Sequence, residues 1–209
     1  MKKIKQPTDV RCKQIVESAM TVIATRGTRG ATTKAIAREV GISEGALYRH
    51  FESRDEILSL VVDHIGAGLS QNLRRLEARV GDPLDQLEGL FMGHVAFLEE
   101  HRGIPRLAFS EDIHQQRPDL RTRMAIHVEE YLASIRELVE AGKRAGSIRP
   151  DVDAETAATM MVGIIQVLSL RWSLSGFGFS LVERTQPAWQ GLRQLLSTNG
   201  HRISPSVKE

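Results

Sequence analysis

An all-α fold is what this 209-residue sequence predicts. Three observations carry the prediction. Apolar residues recur at spacings of three and four along most of the chain, no segment alternates apolar and polar residues between hairpin turns, and aromatic residues make up only 5%. With 41% apolar and 26% charged residues, the chain is long and apolar enough to bury a substantial globular core.

The first helix is expected from Val10 to Thr25, with Ile15, Ala19, Val22 and Ile23 on one side and its end at Gly27. Thr32 and Thr33 can cap a second helix, whose apolar face is Ile36, Ala37 and Val40 and which stops at Gly41. Ser43 caps a third helix, in which Leu47 and Phe51 turn inward. That leaves Ser43, Glu44, Ala46, Arg49 and His50 on its remaining surface. Two short helices around a tight turn form a helix-turn-helix, with the second presented to the DNA major groove. A fourth helix begins near Ser53, where Asp55 and Glu56 suit the positive end of the dipole. Its core stripe is Ile57, Val61, Ile65 and Leu69, and it runs toward Arg79 before Gly81-Asp82-Pro83 breaks it.

Leu84, Leu87, Phe91, Val95 and Leu98 mark a fifth helix ending at His101-Arg102-Gly103. A short helix around Pro105 to Ser110, a loop at Gln115 to Pro118 and a long helix to Ala145 follow. The long helix carries Met124, Val128, Tyr131, Ile135 and Leu138, and Gly146 and Pro150 close it. The next helix, Asp153 to Ser173, is apolar around its whole circumference and so is expected to be buried on every side. A second copy of the chain packing on it, with Gly163 permitting close approach, explains such burial economically; a central core helix of a monomer is the other explanation. The last helix, near Pro187 to Leu196, offers Trp189, Leu192 and Leu196 as one stripe.

Charge is distributed unevenly. Residues 1–54 hold eleven Lys or Arg against five Asp or Glu, a balance of +6, which leaves −4 for the rest of a chain whose net charge is +2. A basic end on a mildly acidic body suits a module that meets a polyanion. No apolar run reaches the roughly 18 residues of a membrane span, and no apolar core follows the basic Met1 to Lys5, so a cytoplasmic protein without a membrane partner is expected. The one cysteine, Cys12, reads as a helix-face thiol.

About the first quarter to third of the chain resembles the N-terminal domain of the TetR family of transcriptional regulators. The likeness rests on the glycine ending helix one, the Thr-Thr start, the Ile36-Ala37 pair, Val-Gly-Ile-Ser at the turn, Leu47-Tyr48, and His50-Phe51 followed by the basic Arg54. It implies a three-helix DNA-binding domain over residues 1–54 joined to a helical ligand-binding and dimerisation domain over residues 55–209. By this resemblance Thr33, Tyr48, His50 and Arg54 hold phosphates, while Lys34, Ser43, Glu44 and Ala46 face base edges and Arg49 serves either use. Replacing Tyr48 or Arg54 is then expected to weaken binding to all sequences alike, and Glu44→Ala to change base preference. Two departures stand out: Thr28 occupies a position commonly aromatic in the family, and Glu44 brings negative charge toward DNA. Lys2, Lys3 and Lys5 form a basic arm that could reach a neighbouring groove.

The resemblance further implies a homodimer, usually a repressor, that leaves a palindromic operator in double-stranded DNA when a small molecule enters the body. Candidate pocket residues on the amphipathic helices are His94, Phe97, Phe109, His127, Tyr131, Met161 and Trp172, whose apolar bias points to a hydrophobic effector. A DNA-binding structural or partner-recruiting protein of the same fold without an effector remains the alternative. His94 and His101 lie seven apart, too far for the usual helical metal pair, so no metal and no cofactor is expected. With no glycine-rich phosphate loop, nucleophile elbow or ligand-spaced cysteines, an enzyme is not expected.

Overall fold

The computed structural model describes residues 8–77 and 81–198, and among these every extended element is helical. The order is α1 (Thr8–Gly30), α2 (Thr33–Val40), α3 (Glu44–Leu47), α4 (Arg54–Glu77), α5 (Pro83–Glu100), α6 (Gly103–Ala108), a π-helical turn (Asp112–Gln116), α7 (Pro118–Ala145), α8 (Ala154–Leu174) and α9 (Leu181–Leu196). An isolated antiparallel bridge pairs Ile148 with Ser197. The expected basic arm at Lys2, Lys3 and Lys5, and the approach of the fourth helix to Arg79, fall outside the described residues.

The chain divides into two compact units. One consists of the residues up to Gly68 together with Glu100–His127; the other consists of Leu69–Glu99 and the residues from Val128 onward. In the first, Ile15, Ile23, Ile36, Leu47, Ile57, Leu58 and Leu107 are fully buried. α1 also packs closely on α6. A Cβ added at Gly103 would lie 2.2 Å from the Met20 carbonyl oxygen, so only glycine lets the two backbones meet. Gly103→Ala must push the helices apart and is expected to cost about 1–3 kcal/mol, read as a lower urea midpoint; an unchanged midpoint would refute the tight contact.

In the second unit the core is built on Leu87, Leu90, Phe91, Ile135, Trp172 and Trp189, with the Phe91 and Trp189 rings 5.1 Å apart. Buried Asn72 donates to the Leu90 carbonyl at 2.9 Å, which satisfies one polar group of an otherwise apolar interior.

Several elements depart from the sequence expectation. Helical geometry resumes after Gly27, which breaks α1 with φ 71° and ψ 174°. The expected loop at Gln115 to Pro118 is mostly the π-helical turn, and Pro118 becomes the first residue of α7, where its missing N–H costs nothing. α9 starts at Leu181, not Pro187. Ser180 caps it by accepting from the Glu183 N–H at 3.2 Å, and the Glu99 carboxylate accepts the Leu181 N–H at 2.6 Å. Pro187 therefore sits inside the helix.

Within one chain α8 is buried on one face only, through Ala157, Ala158, Met161, Val162, Ile165, Ser169 and Trp172, so the expectation of a central helix buried inside a monomer does not hold. The opposite face, Met160, Val167, Leu170 and Leu174, is exposed. α8 is also long and apolar enough to cross a membrane by length and composition, with a mean hydropathy of 1.4, because Gln, Ser and Thr interrupt an apolar run without adding charge. Its packing on α9 accounts for the apolar stripe that is buried.

Candidate nucleic-acid interface

Local capping builds the α2–α3 pair. The Thr32 hydroxyl accepts from the Ala35 N–H at 3.1 Å, and the Ser43 hydroxyl accepts from the Ala46 N–H at 3.2 Å. Between the helices Gly41 takes the left-handed conformation at φ 76°, while the Ile42 N–H donates to the Ala37 carbonyl at 2.9 Å. Ile36, Ala37, Leu47 and Phe51 are buried beneath. α3 proper is only four residues, but the Phe51 N–H still donates to the Leu47 carbonyl at 3.1 Å, which carries Tyr48 to His50 on as turn.

This packing leaves Lys34, Ser43, Tyr48 and Arg49 exposed, with Thr33, Glu44, Ala46 and His50 partly covered. Two of these side chains brace each other across the turn. The Thr33 hydroxyl donates to Glu44 Oε1 at 2.5 Å and lies 3.3 Å from the Tyr48 hydroxyl. Glu44 thus spends a carboxylate oxygen on joining the two helix starts, which also draws its negative charge toward α2. His50 keeps Nδ1 buried without a hydrogen-bond partner.

Arg54, expected to hold phosphate, also makes contacts within its own unit. Its guanidinium donates to the carbonyls of Thr28 at 2.7 Å and Ala31 at 3.0 Å, and it faces Asp112 at 3.5 Å and Asp55 at 3.8 Å. Thr28, at the position where an aromatic was the common choice, is buried and supplies one of those carbonyls. Asp112 had no signal in the sequence, because its partner lies 58 residues away.

The seven pocket candidates are divided between the two units. Phe109 and His127 belong to the first unit, where Phe109 is exposed and His127 lies against Gly66. His94, Phe97, Tyr131, Met161 and Trp172 belong to the second. There His94 stacks edge-on against Tyr131 with ring centres 5.1 Å apart, and the Tyr131 hydroxyl donates to the Leu90 carbonyl at 3.4 Å. His94 is half-buried as a residue, but its Nδ1 is sealed from solvent without a partner, and burial pushes its pKa down to about 4. Burial likewise pushes the Tyr131 phenol up, against the lowering effect of Asn72. Met161 and Trp172 are core residues, the Trp172 indole donating to the Phe179 carbonyl at 2.7 Å.

A half-open groove of about 500 Å³ in the first unit, lined by Glu17, Met20, Thr21, Glu100, His101 and Arg102 among others, contains none of the seven. Two segments some eighty residues apart form it, so no local pattern announces it. His101 there contacts the His64 ring at 5.3 Å. Among the described residues no group of three or more His, Cys, Asp or Glu is arranged to hold a metal.

Two family models match the chain, and the first spans this helix-turn-helix. Residues 15–61 match the bacterial regulatory proteins of the tetR family, and residues 83–181 match the tetracyclin repressor-like C-terminal domain. The chain belongs to the TetR family. It is a DNA-binding transcriptional regulator of that family. It is 23% identical over 189 residues to the nucleoid occlusion factor SlmA of Marinomonas sp. (strain MWYL1), covering 90% of this chain and 96% of that one. It is 26% identical over 190 residues to the HTH-type transcriptional repressor KstR2 of Mycobacterium tuberculosis (strain CDC 1551 / Oshkosh), covering 84% and 88%. Its fold is shared with the transcriptional regulator FadR from Bacillus subtilis, solved in complex with stearoyl-CoA, at a TM-score of 0.70 and 20% identity over 88% of this chain and 98% of that one.

Proposed function

We propose that this TetR-family protein is a dimeric repressor in the cytoplasm that leaves a palindromic operator when a small hydrophobic molecule occupies its body. Residues 1–54 are the DNA-binding head and residues 55–209 the effector-binding and dimerisation body. The observation that carries the reading is the exposed face of α2 and α3, where Lys34, Ser43, Tyr48 and Arg49 stand clear above a buried Leu47 and Phe51. Exposed cations and hydroxyls on such a face support contacts to phosphates and base edges. In the body, the uncharged His94 beside Tyr131 in an apolar interior suits a ligand with a mainly apolar skeleton and a neutral polar group.

The test is binding to a duplex that the wild-type protein selects from a random pool, with half-sites about one helical turn apart. Affinity is expected to fall steeply with salt, and Arg49→Ala is expected to lower the salt slope by about one while weakening all sequences alike. Binding without salt dependence would overturn the reading.

A second reading has one observation in its favour: the similarity to nucleoid occlusion factors extends over nearly the whole chain. On that reading the protein binds DNA to recruit a partner and has no effector. Thermal melting with acyl thioesters and sterols separates the two, since a ligand that binds the folded state raises the midpoint and an effector-free body stays unchanged.

A further inference from the structure

The segment around the π-helical turn makes three ion pairs with two parts of its unit, the end of α1 and the start of α4. Glu111 pairs with Arg29 near the end of α1, Asp112 with Arg54 at the start of α4, and Arg117 with Asp55 in the first turn of α4, the last at 3.0 Å. Two of these involve well-exposed partners and contribute little by themselves. Asp112 is different, because its carboxylate side chain is only 8% exposed. A carboxylate so buried is tolerated when cationic or hydrogen-bonding partners compensate its desolvation.

Arg54 is a compensating partner, and it has further attachments. Its Nη2 donates to the Thr28 carbonyl and its Nε to the Ala31 carbonyl. Both carbonyls lie after the break at Gly27, Thr28 in the last turn of α1 and Ala31 in the α1–α2 connection, and the Thr28 carbonyl also accepts the Ala31 N–H at 3.0 Å. One planar guanidinium therefore joins the π-helical turn, the start of α4 and the chain two residues before α2. The fork geometry is rigid, so a displaced Asp112 would alter the hold of Arg54 on the α1–α2 connection.

We infer that Asp112 is a positioning residue for DNA reading: it holds Arg54 on the carbonyls of Thr28 and Ala31 and thereby sets the placement of α2 and α3. The inference rests on the α2–α3 face being the DNA-reading surface. It makes the π-helical turn the element through which a change elsewhere in this unit reaches that face.

The test uses the full-length protein and the duplex selected on wild type, with Asp112→Asn, Arg54→Lys and the double variant measured by fluorescence anisotropy at several salt concentrations. Asp112→Asn is expected to weaken binding about tenfold, the loss of one charge-assisted contact, with the salt slope unchanged and Asp112→Glu recovering part of the loss. The double variant is expected to be no weaker than Arg54→Lys alone, because both act through one contact. Circular dichroism and melting of each variant establish that it is folded at the assay temperature. Removing a negative charge that merely repels DNA would tighten binding, so tighter or unchanged binding by Asp112→Asn overturns the inference. Additive losses, or a salt slope lowered by Arg54→Lys, overturn it as well. If wild type itself selects no duplex, the DNA-reading assignment fails instead.

Discussion

Val167→Asp should produce a folded monomer that no longer holds its operator. Val167 is 58% exposed in the single chain and sits on a stripe of Met160, Gly163, Val167, Leu170 and Leu174. Their spacings of three and four residues make a heptad-like seam along one side of α8. Open space lies where a Gly163 side chain would begin, so a partner helix could approach closely there. An apolar stripe of this extent on a monomer surface marks an interaction site, and a second copy of the same stripe is self-complementary about a two-fold axis. Aspartate at the centre of such a seam would bury two like charges against each other, while in the isolated chain it meets only solvent.

Sedimentation at micromolar concentration is therefore expected to give a dimer for wild type and a monomer for Val167→Asp, with similar helix content. Two tethered heads bind two half-sites far better than one. The variant should accordingly lose on the order of 100-fold or more in affinity for a two-half-site duplex. A variant that stays dimeric, or a monomer that binds as tightly as wild type, would rule out this interface.

The second large effect is acid sensitivity. Burial holds His94 at about 4, against 6.5 for a free imidazole. Between these values the unfolded chain takes up a proton that the folded chain refuses, so protonation favours unfolding. Stability is full above about pH 6.5 and falls as the pH drops toward 4, and the displacement from 6.5 to about 4 corresponds to roughly 3 kcal/mol. His64, whose pKa is also lowered, chiefly by burial and then by His101, adds in the same direction. Urea unfolding of wild type at fixed protein concentration should show the midpoint falling from pH 7 to pH 4.5, and His94→Phe should flatten most of that fall. Identical pH profiles for the two proteins would exclude His94 as the cause.

Helix ends were legible in the sequence wherever the signal was local. Thr32, Ser43 and Asp153 each cap a helix by accepting from the backbone N–H three residues on. Gly41 and Gly146 take the positive φ that a stop requires. The buried members of the α2–α3 pair were legible for the same reason, since Ile36, Ala37, Leu47 and Phe51 declare themselves by spacing. The start of α9 has a local signal as well, since Ser180 and Glu183 stand three apart as a capping pair, although Pro187 offers a later start that the periodicity of Trp189, Leu192 and Leu196 favours.

Capping and helical periodicity act within a few residues, so the all-helical class, the helix-turn-helix and the exposure of Ser43 and Arg49 were readable from the chain alone, while Glu44, Ala46 and His50, read as surface too, are partly covered and Lys34 and Tyr48 entered only through the family resemblance. The partners that Arg54 takes, the face of α8 left uncovered and the meeting of His94 with Tyr131 came from folding. Those outcomes depend on groups far apart in the chain, and a guanidinium or an imidazole has no preference among them until folding fixes which acceptors and rings surround it.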